Sequence, residues 1–172
     1  MIESTGRGLT EFIEEYRRLS LLPLPKREKL KLKNALEGIL LMFDDEAREK
    51  GIRISIEQVD PEIEILADAH QFEMILLNLL RNSFDSFLES KRDKEVTISV
   101  QRGEHNVMVK VEDNGSGIKE ELLDQVFVPF FSTKESGSGI GLTLVRQIMN
   151  NHEGSIRLES VPGERTLVTL IF

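Results

Sequence analysis

The sequence predicts an α+β fold, a two-layer sandwich with helices gathered on one face of a sheet. Three observations lead there. Apolar spacing switches repeatedly between the three-to-four-residue period of helices and the two-residue period of strands. The later strand-like runs fall in pairs around turn residues, as antiparallel hairpins do. The strict β-α-β alternation of a doubly wound sheet is missing.

Taken in order, the segment from Glu3 to Leu21 reads as an amphipathic helix, with Leu9, Phe12, Ile13, Tyr16 and Leu19 on one side. Pro23 and Pro25 stop it and mark a linker. A second helix is expected from Asn34 to Lys50, with Asn34 and Glu37 as a capping box and Gly51 as its stop. Strand-like runs follow at Ile52–Glu57 and Glu62–Leu66, divided by an Asp60-Pro61 turn. Asp68 and Gln71 can cap a third helix reaching Glu89, whose apolar side is Phe72, Ile75, Leu76, Leu79, Leu80 and Phe84. The alternating runs Val96–Gln101 and Asn106–Glu112 flank a turn at Arg102–His105. A loop-rich stretch then leads to a helix over Ile140–Asn151, and the runs Ser155–Glu159 and Thr166–Phe172 pair around Pro162-Gly163.

Composition narrows the function. The chain has 172 residues, a formal charge of −8 and no cysteine. That acidity excludes the basic face of a nucleic-acid binder, and the missing cysteine excludes disulfide frameworks and thiolate metal sites. No apolar run approaches the roughly 18–20 residues of a membrane span, so the chain reads as cytoplasmic, whatever anchors a longer parent.

Three clusters carry chemistry. Asn78 and Asn82 lie four apart on one face of the third helix, with Arg81 and Asp85 beside them. A solvated polar edge would look the same. Yet Asn is a poor helix former, and such a pair suits an oxygen ligand for a hard cation such as Mg²⁺. The run Asp113-Asn114-Gly115-Ser116-Gly117-Ile118 is strong turn chemistry. It also places a carboxylate beside glycines that let backbone approach a flat ligand. Such a carboxylate would accept from the exocyclic amine of adenine and reject the carbonyl of guanine. In Phe130-Phe131-Ser132-Thr133-Lys134 and Gly137-Ser138-Gly139-Ile140-Gly141-Leu142, glycines open a helix and expose N–H groups to phosphate. The sequence is not a Walker A loop, because no Gly-Lys-Ser/Thr follows.

In this order and spacing, the clusters resemble the N box, first glycine box, F box and second glycine box of sensor histidine kinase catalytic domains. These belong to the GHKL (Bergerat) ATP-binding superfamily, together with gyrase, a heat-shock chaperone and mismatch-repair ATPases. The resemblance covers residues 34–172 and implies ATP and Mg²⁺ as ligands. By position, Asn82 matches the Mg²⁺-ligating Asn and Asn78 its phosphate-side partner. Asp113 matches the adenine-reading Asp, with Gly115, Gly117 and Ile118 packing around the base. Phe130 and Phe131 would hinge a lid, and Thr133, Lys134, Ser138, Gly139, Ile140, Gly141 and Leu142 would surround the phosphates. Arg81 would reach the phosphates from the helix, with Asp85 next to it. Thr166 matches the last motif, which departs from the family pattern in carrying Arg165 where a glycine is usual. The short lid and its Ser132-Thr133-Lys134 resemble the nitrogen-regulation subtype.

The resemblance also bears on the reaction. Hydrolytic relatives place a Glu one turn before the metal-binding Asn; here that place is Asn78, which cannot take a proton. Transfer to a positioned acceptor is therefore expected in preference to rapid hydrolysis. His70, His105 and His152 lack the H-E-x-x-N acceptor pattern and read as surface or capping histidines. The acceptor is then expected on a dimerisation helix outside this chain. Residues 1–26 resemble the second helix of that hairpin and its exit, and residues 27–172 the catalytic domain. The expected partners are ATP, the phosphoacceptor helix, a response regulator and, through the N-terminal apolar stripe, a second copy. The alternatives are a serine kinase of the anti-sigma type and a non-catalytic scaffold of the same fold.

Overall fold

The computed structural model describes residues 21–57, 59–88, 93–134 and 137–172. The expected N-terminal helix lies outside them. The fold is α+β, as expected. Strand β1 (Glu28–Lys31) runs directly into helix α1 (Leu32–Lys50), followed by β2 (Ile52–Ile56), β3 (Glu64–Ala67) and helix α2 (Ala69–Asp85). Then come β4 (Lys94–Arg102), β5 (Val107–Asp113), a single 3₁₀ turn at Glu120–Leu122, helix α3 (Gly141–Asn151), β6 (Ser155–Val161) and β7 (Arg165–Ile171).

The main sheet has the order β2-β4-β5-β7-β6, and β1 pairs with β3 in a separate two-stranded sheet. Its strands are antiparallel except β2, which runs parallel to β4 in the register Ile52↔Lys94 to Ile56↔Ile98. The two expected hairpins are the antiparallel pairs β4–β5 and β6–β7, and β2 makes the sheet a mixed one. Period-two spacing reveals a strand but not its direction, and here β3 and α2 form the crossover that returns the chain parallel.

Several boundaries also move, each for a local reason. The capping box at Asn34 does not form: the helix starts at Leu32, and Asn34 sits exposed inside it. The first N–H is satisfied instead by Ile63 O at 3.1 Å, a tertiary partner that makes a side-chain cap unnecessary. Strand β1 was invisible in sequence because its four residues carry one apolar side chain, Leu30. β3 starts two residues late because Asp60 takes Glu62 N–H on its side chain and Ile63 N–H on its carbonyl, an Asx turn. α2 stops at Asp85, not Glu89, and the β4–β5 turn is Gly103–Asn106, closed by Gly103 N–H to Asn106 O at 2.9 Å. The Gly51 stop of α1 is as expected, with φ +63° and its N–H on Ala47 and Arg48 carbonyls. So is the Asp68 cap, which accepts from Gln71 N–H at 3.0 Å.

The core lies between the helices and one face of the sheet. α1 contributes Leu32, Leu36, Ile39 and Phe43, and α2 contributes Phe72, Ile75, Leu76, Leu79, Leu80 and Phe84. They meet Val96, Ile98, Val109, Val111, Val168 and Leu170 from the alternating inner positions of β4, β5 and β7. Each such burial contributes about 1.5–3 kcal/mol. With its apolar face buried, α2 presents Asn78, Asn82 and Asp85 to the segment that leads into α3.

The linker is docked onto the domain. Pro23 O accepts from the buried Gln71 side chain at 2.8 Å, and Lys26 N–H donates to Asp68 at 2.9 Å. Arg27 pairs with Glu153 at 3.0 Å. His152 is the C-cap of α3, in keeping with the capping reading, and is buried. Its Nε2 accepts from Asp68 N–H at 3.0 Å while Nδ1 faces Ile148 O at 2.8 Å, so Nδ1 carries the proton. His152 therefore joins the C-terminal end of α3 to the start of α2. His70 and His105 are exposed.

Candidate nucleotide-binding site

Asn78, Asn82 and Asp85 recur at spacings of four and three along α2 and so share a face. Asn78 Nδ2 donates to Met74 O at 2.7 Å in its own helix, which turns Oδ1 outward. A Cβ added to Gly141, the first residue of α3, would stand 2.9 Å from that oxygen and 3.9 Å from Asn82 Nδ2. The N-terminus of α3 thus lies against the amide pair, and it has no side-chain cap. The first N–H groups of a helix have no intrahelical partner, and with the positive end of the dipole they suit an anion. Just before it, Gly139 has φ +71°, and its Cβ would stand 2.5 Å from the carbonyl carbon of Phe130. No other residue type fits there. Phe130, itself at φ +66°, donates its N–H to Gly139 O at 3.0 Å, which ties the two phenylalanines to the glycine turn.

Lys134 reaches the same face of α2, with Nζ 3.0 Å from Asp85 Oδ2. Its charge also acts on Asp113, the last residue of β5, which is 5% exposed. Burial pushes the Asp113 carboxyl above the ordinary carboxylate range, against hydrogen bonds from Gly115 N–H, Ser83 and Ser86 and the attraction of Lys134. The Gly115 N–H lies 2.9 Å from Asp113 Oδ1 and Ser86 Oγ 3.0 Å from it. Gly117, at φ +64°, packs so closely on the β6–β7 hairpin that a Cβ would meet Val161 O at 2.2 Å. Ile118 N–H donates to Ser160 Oγ at 2.8 Å, and Ser160 in turn lies 3.1 Å from Thr166 Oγ1.

Thr166 is paired directly with Asp113 across β5 and β7, and it is buried. The departure at Arg165 leaves this register untouched, because strand alternation turns Arg165 outward to pair with Glu112 at 3.0 Å. Of the expected phosphate residues, Ser138 and Thr133 are exposed, and Ile140 is buried as the residue preceding α3. Leu142 packs on the core. The exposed Arg81 has its guanidinium 6.0 Å from the Phe43 ring on α1.

Sequence reading missed Ser83, Ser86 and Ser160. Single serines carry no motif signal, and their role appears only where α2, β5 and β6 meet. It also read Asn114 as part of a turn. Its side chain accepts Glu95 N–H at 2.9 Å and donates to Asp93 O at 2.8 Å, pinning the turn to β4.

Residues 67–172 match the family described as Histidine kinase-, DNA gyrase B-, and HSP90-like ATPase. The chain belongs to this family. Sporulation kinase A of Bacillus subtilis (strain 168) is 32% identical over 85% of this chain and 24% of its own length. Sensor histidine kinase ZraS of Klebsiella oxytoca is 31% identical over 95% of this chain and 34% of its own. The chain therefore spans about a quarter to a third of these curated relatives. In fold it is similar to the catalytic domain of histidine kinase ThkA, with a TM-score of 0.76 at 24% identity over 86% of this chain and 95% of that one. Among the described residues no helix is long and apolar enough to cross a membrane, and no three His, Asp or Glu side chains cluster as a metal site.

Proposed function

We propose that this chain is the ATP-binding catalytic domain of a two-component sensor histidine kinase, with residues 27–172 as the domain and residues 1–26 as the second helix of a dimerisation hairpin and its linker. What supports this reading most is the placing of Gly141 against Asn78 and Asn82, with Lys134 bonded to Asp85 on the same helix face and its charge acting on Asp113. The adenine amine would donate to Asp113. The triphosphate would lie across the N-terminus of α3, and Lys134 would leave Asp85 for a phosphate oxygen. Mg²⁺ fits this donor set: one amide oxygen from Asn82 and no carboxylate cage suits an ion that keeps water and phosphate oxygens. It would supply charge neutralisation at the transferred phosphoryl group.

The geometry favours transfer over hydrolysis. Asn78 cannot accept a proton, and its amide is already committed to Met74 O. His152 is the one histidine followed by an acid, yet it is buried with both ring nitrogens engaged, so it is unsuited to act as nucleophile. The acceptor is then a histidine of the dimerisation helix, and a response regulator receives the phosphoryl group next.

The decisive assay supplies a phosphoacceptor hairpin with labelled ATP and follows acid-labile, base-stable phosphate. Wild type is expected to transfer with Mg²⁺ and to prefer ATP over GTP. Asn82→Ala should lose about 100-fold or more of that transfer, the scale of removing one preorganised stabilising group, while keeping metal-free nucleotide binding. Unaltered transfer in Asn82→Ala would refute the metal role, and absence of ATP binding by wild type would refute the kinase reading.

The apolar stripe Leu9, Phe12, Ile13, Tyr16 and Leu19 supports a second proposal, self-association through the N-terminal segment. Sedimentation of the full chain beside one beginning at Lys26 should give a dimer and a monomer. Two monomers would dismiss it.

A further inference from the structure

The last turn of α2 carries two hydroxyls that converge on Asp113. Ser83 is 4% exposed and bonds its side chain to the Asp113 carboxylate. Ser86 Oγ stands 3.0 Å from Asp113 Oδ1 and 2.7 Å from Ser83 O. One hydroxyl has one proton, so these are alternative donations. With Asp113 ionised, the Ser86 proton points to the carboxylate. With Asp113 protonated, the acid can donate to Ser86 Oγ, which then turns its own proton to the Ser83 carbonyl. Ser86 also anchors the glycine turn, since its carbonyl accepts Ser116 N–H at 3.0 Å. A Cβ on Gly115 would stand 1.8 Å from Ser86 Oγ, so the glycine leaves room for that hydroxyl.

We propose that Ser83 and Ser86 are positioning residues for adenine recognition, two hydroxyls that keep the Asp113 carboxylate ionised and aimed, and so set the lowest pH at which the pocket selects adenine. This rests on the adenine-reading role of Asp113 proposed above. Burial works against the charge, and few other groups oppose burial. Lys134, from the loop ahead of α3, faces Asp113 but is shared with Asp85 of α2. Glu112 and Arg165 pair with each other on the other face of the sheet, and on β4 Glu95 pairs with Arg53 at 2.9 Å. The strand partners of Asp113, Val96 and Thr166, carry no charge. The hydroxyls and the Gly115 N–H are therefore the main local compensation.

The test titrates ADP with Mg²⁺ calorimetrically into wild type, the two single Ser→Ala variants and Ser83→Ala/Ser86→Ala at pH 8 and pH 5.5. Affinities are read as variant-to-wild-type ratios, so the nucleotide's own titration cancels. For the double variant the ratio should fall about ten-fold further at pH 5.5 than at pH 8, as expected for losing hydrogen bonds to a charged group. The single variants should fall less. At pH 5.5, binding to the double variant should also release more protons than binding to wild type, measured in buffers of different ionisation heat. An equal loss at both pH values with unchanged proton release would mean that the serines merely support the turn, and overturns the inference alone. Binding that is absent in wild type, or indifferent to Asp113→Asn, overturns the Asp113 reading and this inference with it.

Discussion

Asp113→Asn is expected to weaken adenosine and ATP binding alike, by about 10–100-fold, while leaving the fold at least as stable at pH 8. The affinity loss follows from replacing a charge-assisted acceptor with an amide whose NH₂ faces the adenine amine. Hydrogen bonds to charged groups contribute about 1.5–3 kcal/mol, and each 1.4 kcal/mol is about ten-fold in affinity. Discrimination against GTP should collapse as well, because an amide donor tolerates the guanine carbonyl. The stability effect has the opposite sign. Burial raises the Asp113 carboxyl above its unfolded value, so its contribution to stability is present below the ordinary carboxylate range. It is lost as pH rises through the raised value, and at pH 8 the ionised group is a net cost. Asparagine removes that cost while its oxygen still accepts the Gly115 N–H. Thermal melts should therefore show the variant's advantage shrinking as pH falls toward the carboxylate range. In wild type, adenine affinity should decline over the same acid range. A variant that binds adenosine as wild type does would remove Asp113 from the site.

The second large effect is expected at Gly139. Gly139→Ala should cut ATP affinity by about 10–100-fold yet leave adenosine binding unchanged, the reverse of the Asp113 pattern. The added Cβ would sit 2.5–2.7 Å from the Phe130 carbonyl carbon, Phe131 O and Phe131 N, all backbone atoms that cannot swing aside. With φ at +71°, the residue would also leave the region that L side chains prefer. Strain of about 1–3 kcal/mol must move the turn away from the N-terminus of α3, and with it the free N–H groups. The thermal midpoint should fall by about 2–4 °C for each kcal/mol of that strain. The comparison of adenosine with ATP separates a lost phosphate cradle from general unfolding. Equal losses for both ligands would place Gly139 in the support of the whole pocket.

What the sequence by itself determined was the identity of the parts. Amides at i and i+4 must share a helix face, glycines before an apolar helix must expose its N-terminus, and Asp-Asn-Gly after an alternating run must turn. These are local consequences of backbone geometry, which is why the Asp68 cap, the Gly51 stop and the three motif clusters were legible. The tertiary structure decided everything that depends on which neighbour arrives. Leu32 begins α1 because Ile63 O meets its N–H, and β2 turns parallel because β3 pairs with β1. Arg81 stands over the Phe43 ring of a helix that arrives from another part of the chain. Ser83 and Ser86 face a carboxylate 30 and 27 positions further along the chain. Hydrogen-bond partners and burial are non-local, and no period in the sequence encodes them.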